Sequence, residues 1–125
     1  MQLVEQHIIK PNNPIFTEID AIAFASKNLY NAANYIMRQT FIRTGATLDM
    51  KALYAAAKLT AAYRGLPRKV SNDVLRQVLR DWKSFNAARK AHAEDPSKFL
   101  GCPKLPGYKD KETGRNLLCY DKQAI

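Results

Sequence analysis

The sequence predicts an α+β fold in which three helices are inserted between strands of a sheet that the chain does not finish. Three observations point there. The first ten residues, Met1–Lys10, carry the β-compatible Leu3, Val4, Ile8 and Ile9 and stop at Pro11. A long middle stretch repeats its apolar residues every three or four positions. After Pro96 the chain returns to short runs broken by Pro103, Pro106 and Gly107.

Asn12, Asn13 and Pro14 form the turn that leaves the first strand. Thr17 then suits a helix N-cap, with Glu18 and Asp20 placed to complement the helix dipole. Ile19, Ile22, Ala23, Ser26, Tyr30, Ala33, Met37 and Phe41 share one face, so a first helix is expected from Glu18 to Arg43, ending at Gly45. Asp49 caps a second, Ala-rich helix from Met50 to Arg64, closed by Gly65 and Pro67. Ser71 is the expected cap of a third, from Asn72 to about Ala93, with Val74, Leu75, Val78, Leu79, Trp82 and Phe85 as its apolar stripe. Asp95-Pro96 ends it.

Beyond it, Tyr108-Lys109, a turn at Asp110–Gly114 and Leu117–Tyr120 predict a hairpin. One strand and one hairpin do not make an independent sheet. The first strand is therefore expected to pair with the late ones, as in the front part, or a remnant, of a longer protein. The organisation expected is a first strand over residues 1–14, a helical domain over 15–95 and a return to the β domain over 96–125.

The chain holds 20 Lys and Arg against 11 Asp and Glu, a formal charge of +9. Such an excess favours phosphate backbones or anionic surfaces. No stretch approaches the roughly 20 apolar residues that span a bilayer, and no signal peptide opens the chain, so a cytoplasmic location is expected. Cys102 and Cys119 fit small buried thiols and are too few for a four-ligand zinc site. No Gly-rich phosphate loop, clustered carboxylates or nucleophile–base spacing is present, so no catalytic or metal-ligating residue is assigned.

The cations gather. From Lys58 to Lys90 nine basic residues face only Asp73 and Asp81. Within the third helix, Arg76, Arg80, Lys83 and Lys90 share a face away from Val78, Leu79, Trp82 and Phe85, which suits a phosphate-tracking helix or, equally, a solvated face. Arg68 and Lys69 add charge beside its N-terminus. On the first helix, Lys27, Asn31, Asn34 and Arg38 fall in one line. Asn is a poor helix-interior residue, so this line reads either as sugar, phosphate and base-edge contacts or as packing between elements. In the tail, Lys104, Tyr108 and Lys109 combine backbone neutralisation with a stacking surface.

Four blocks resemble a known family. Ala25-Ser-Lys-Asn-Leu-Tyr-Asn-Ala-Ala-Asn-Tyr35, Trp82-Lys-Ser-Phe85, Pro96-Ser-Lys-Phe-Leu-Gly-Cys-Pro-Lys-Leu-Pro-Gly-Tyr-Lys109, and Gly114-Arg-Asn-Leu-Leu with Gln123-Ala-Ile125 are similar, in order and spacing, to the N-terminal third of TnpB/OrfB transposon proteins. Those proteins are RNA-guided DNA endonucleases related to compact type V CRISPR effectors. The resemblance implies an incomplete, wedge-like β-barrel interrupted by a three-helix recognition domain. It also implies guide RNA and target DNA as partners and a location at the nucleoid. The family's RuvC-like nuclease and zinc ribbon lie beyond Ile125, so Mg²⁺ and Zn²⁺ are implied only for those C-terminal domains. This chain is expected to be inactive alone. A second expectation is a helix-turn-helix module for duplex DNA, made by helices two and three, with Asn72 and Arg76 reading bases.

Overall fold

A computed structural model describes residues 16–116, and these fold as a helical bundle. Helix α1 spans Phe16–Thr44, α2 Met50–Ala57, α3 Ala61–Arg64 and α4 Arg68–Glu94, followed by a 3₁₀ turn at Pro96–Lys98. Helix α1 stops where the chain must enter the left-handed region, which Gly45 adopts with φ 75°. Its amide donates to the Phe41 carbonyl at 2.7 Å. Asp49 caps α2, accepting from the Ala52 amide at 2.8 Å.

The contacts between α1 and α4 advance together along both helices. Tyr30 meets Asp81, Asn34 meets Trp82, and Phe41 meets Trp82 and Phe85 at ring-centroid distances of 5.5 and 5.7 Å. The two long helices therefore run in the same general sense, and α2 and α3 form the crossover that brings the chain back. Leu29, Ala33 and Met37 of α1 close on Leu53 of α2, Tyr63 of α3 and Val74, Leu75, Val78 and Trp82 of α4 in one buried cluster. Burying such side chains contributes about 1.5–3 kcal/mol each.

Two helix boundaries differ from expectation. The second predicted helix breaks at Thr60, whose hydroxyl donates to the Ala57 carbonyl at 2.7 Å and accepts the Tyr63 amide at 3.2 Å. It thereby ends one helix and caps the next. Helix α4 starts at Arg68, with Pro67 in the cap position. The Ser71 amide makes a helical bond to the Pro67 carbonyl at 3.0 Å. Ser71 is thus not a cap: it is fully buried and donates its hydroxyl to the Tyr63 carbonyl at 2.8 Å.

The α+β expectation is overturned. Among the described residues there is no strand, so neither the incomplete wedge-like barrel nor the hairpin stands. The strand expected at Met1–Lys10 and the one at Leu117–Tyr120 lie outside the described residues. Tyr108-Lys109 lies in no strand, and the amide and carbonyl of Lys109 bond to the Asn31 side chain of α1 instead. Cys102 is exposed, contrary to the buried thiol expected, and Cys119 falls outside the described residues.

The position of Ser71 is open to test by substitution. At a cap, Asp serves about as well as Ser. In the buried setting found here, Ser71→Asp is expected to cost on the order of 3 kcal/mol or more in urea unfolding, as an unpaired buried charge does. Ser71→Ala is expected to cost about 1 kcal/mol for one lost hydrogen bond.

Candidate nucleic-acid interface

The predicted site residues divide into two faces with different employment. On α1, Lys27, Asn31, Asn34 and Arg38 hold the return segment. Arg38 donates to the Pro106 carbonyl at 3.1 Å. Asn34 donates to the Pro106 carbonyl at 3.0 Å and to that of Gly107 at 3.3 Å. Asn31 donates to the Lys109 carbonyl at 3.0 Å and accepts the Lys109 amide at 2.8 Å. Lys27 donates to the Lys111 carbonyl.

The spacing explains the match. From Arg38 back to Lys27 a helix advances about 16 Å at roughly 1.5 Å per residue. The return chain meets that line between Pro106 and Lys109 and enters a turn at Lys111. The segment runs antiparallel to α1, with about one donor side chain per helical turn against the carbonyls of Pro106, Gly107, Lys109 and Lys111. Pro106 has no amide to offer a strand partner, and its carbonyl takes two donors instead.

Lys27 and Asn34 are fully buried. The Lys27 ammonium also lies 3.8 Å from the Phe24 ring centroid. Asn34 uses its other end to accept the Trp82 indole N–H at 2.7 Å. These two residues therefore build the fold, and their polar atoms face the protein.

The segment then turns. The Asp110 carboxylate accepts the Glu112 amide at 2.9 Å and the Thr113 amide at 2.8 Å. The Thr113 amide and hydroxyl, the Glu112 amide and the Lys27 charge hold its pKa below the ordinary carboxylate value. Gly114 closes the turn, and a Cβ there would meet the Asp110 carbonyl oxygen at 2.3 Å. Arg115 then forks onto Asp20 at 2.8 and 3.2 Å.

On α4 the expected stripe is open. Arg76, Arg80, Lys83 and Lys90 are exposed. On an ideal helix they lie about 160° from the buried stripe of Val74, Val78, Trp82 and Phe85. Arg76 shares its charge with Asp73 at 3.0 Å. Among the described residues Arg80, Lys83 and Lys90 have no carboxylate partner within 4.0 Å. Lys69 is exposed on the same side of the helix. Arg68 donates to the Tyr54 hydroxyl at 3.1 Å. Of the pair expected to read bases, Asn72 is engaged, accepting the Tyr63 hydroxyl at 2.7 Å, while Arg76 stays exposed beside Asp73.

Of the tail residues, Lys104 and Tyr108 are exposed. Tyr108 lies under the Arg38 guanidinium at 4.9 Å from its ring centroid. Lys109 lies over the Tyr30 ring at 4.7 Å. A groove of about 390 Å³ separates this segment from α4, lined by Tyr30, Asp81, Ser84, Phe85 and Lys104 among others. The sequence shows Tyr30 only as part of the apolar face of α1 and Asp81 only as a counter-charge to the basic stretch. There Tyr30 donates its hydroxyl to Asp81. Burial first, then the bond to that carboxylate and its charge, push the Tyr30 phenol well above its ordinary value of 10. No described helix is long and apolar enough to cross a membrane.

Comparison of the chain with protein-family models, with curated proteins and with solved structures gives no match.

Two measurements bear on this geometry. Asn31→Ala removes both bonds to Lys109 and is expected to cost about 1–2 kcal/mol, with faster tryptic cleavage at Lys109. Because the folded Tyr30 pKa is raised, its contribution to stability is complete below pH 10 and declines as pH rises above it. Tyr30→Phe is therefore expected to flatten the alkaline limb of the stability profile, read by denaturant unfolding from pH 9 upward.

Proposed function

We propose that this chain is a nucleic-acid-binding segment of a TnpB-like RNA-guided DNA endonuclease, contacting guide RNA and the RNA–DNA heteroduplex through the exposed face of α4. The observation that carries the reading is the separation of roles on that helix. Val74, Val78, Trp82 and Phe85 anchor it to the core, while Arg80, Lys83 and Lys90 stand exposed on the other side. A helix fixed in this way presents its cations without having to reorganise, and phosphate contacts of this kind position a backbone without reading sequence. Guide-directed proteins delegate sequence to base pairing and hold the heteroduplex by shape and charge.

The four sequence blocks support the family assignment, and the net +9 charge supports the class of partner. The engagement of Asn72 with the Tyr63 hydroxyl weighs against base reading by a helix-turn-helix. The nuclease chemistry, with its Mg²⁺, would belong to other domains of such a protein. Location at the nucleoid follows from the same reading.

The test is titration of the full chain against a structured RNA at two salt concentrations. Affinity is expected to fall steeply with salt. Arg80→Gln with Lys83→Gln is expected to lower the slope of log affinity against log salt by about 1.4–1.8, since each phosphate contact contributes roughly 0.7–0.9. Absence of RNA affinity at low salt, or an unchanged slope in the double variant, would remove the reading.

A further inference from the structure

We infer that Tyr108, stacked on Arg38, is a preformed platform for one unpaired base of single-stranded RNA, separate from the phosphate-tracking face of α4. The inference rests on the nucleic-acid reading above and names a ligand for a surface that the α4 face does not include.

The backbone on both sides of Tyr108 is fixed. Asn34 donates to the Gly107 carbonyl at 3.3 Å, and Asn31 holds both the amide and the carbonyl of Lys109, at 2.8 and 3.0 Å. A side chain between two pinned peptides loses little further freedom when it binds a ligand. The Arg38 guanidinium sits 4.9 Å from the Tyr108 ring centroid. Its position is set in turn by the 3.1 Å bond to the Pro106 carbonyl.

Tyr108 nevertheless remains 48% exposed, so the ring is not fully covered by the stack and offers area to a second planar group. Tyr35, 56% exposed, lies three residues before Arg38 on α1, about 60° around the helix. Lys104 is exposed on the same segment, four residues before Tyr108. An aromatic face held next to a guanidinium is the kind of element that binds a splayed-out base. Duplex RNA keeps its bases stacked on one another and offers no face to such a ring.

The test uses the full chain and an RNA oligonucleotide carrying one 2-aminopurine, either single-stranded or annealed to its complement. The wild-type chain is expected to quench the single-stranded probe. Tyr108→Phe is expected to retain that quench. Tyr108→Ala is expected to lose it and to bind the single strand about tenfold more weakly, with duplex affinity unchanged. A Tyr108→Ala chain of wild-type helicity that binds and quenches the single strand as the wild type does overturns the inference, while leaving the α4 reading intact. A wild-type chain that binds neither probe at low salt overturns both.

Discussion

The carboxamide of Asn34 is the point at which three parts of this protein meet. Its oxygen accepts the Trp82 indole N–H, tying α1 to α4. Its nitrogen donates to the Pro106 and Gly107 carbonyls, tying α1 to the return segment. The side chain is fully buried, and a buried amide is tolerated only when its donors and acceptors are satisfied. Each partner therefore has to be in place for the others. If the return segment moved away, the Asn34 donor would lose its carbonyls in a dry site. If α4 rotated, the Trp82 indole would be stranded among Leu29, Met37 and Val78 of the same core. One residue of low helix propensity in the middle of a long helix thus couples α4, whose rotation its buried apolar stripe sets, to the return segment. That rotation also determines which cations face outward.

The same constraint explains what the sequence reveals and what it conceals. Helices α1 and α4 are legible because their apolar residues recur with helical period and their ends carry recognisable signals, Gly45 and Asp95-Pro96. The exposed stripe of Arg76, Arg80, Lys83 and Lys90 is legible for the same reason, since a helix whose core face is known has its opposite face fixed. Local capping is harder to read. Thr60 looks like an interior residue of an Ala-rich helix, and only its bonds to Ala57 and Tyr63 show the break. Ser71 looks like a cap and is a buried tie to α3.

The largest departure concerns the segment after Pro96. Extended, Pro-rich chain between turn residues suggests a hairpin, but a hairpin requires backbone partners. Here the partners are side chains lined up on a helix some seventy residues earlier, and no local pattern announces them. Two hints were present in the sequence. Asn31 and Asn34 are costly in a helix interior, which points to specific bonds, and Pro106 offers a carbonyl without an amide, which favours donor side chains over a strand. The line from Lys27 to Arg38 was visible as a pattern, with packing as one of its two meanings, and the geometry assigns Lys27, Asn31 and Asn34 to packing. Arg38 alone combines a carbonyl bond with a stack on an exposed ring.

The central claim is that the Asn34 carboxamide couples α4 to the return segment, and the chain's single tryptophan gives it a direct reporter. The measurement is hydrogen exchange of the Trp82 indole N–H, followed by NMR alongside the Lys109 amide, in the wild type and in Asn34→Leu. The account expects both protons to be protected in the wild type. In the variant, the Trp82 proton should exchange much faster and the Lys109 amide should lose protection with it, although Asn31 is unchanged. A Lys109 amide that keeps its full protection in Asn34→Leu, or a Trp82 indole that exchanges freely in the wild type, would contradict it.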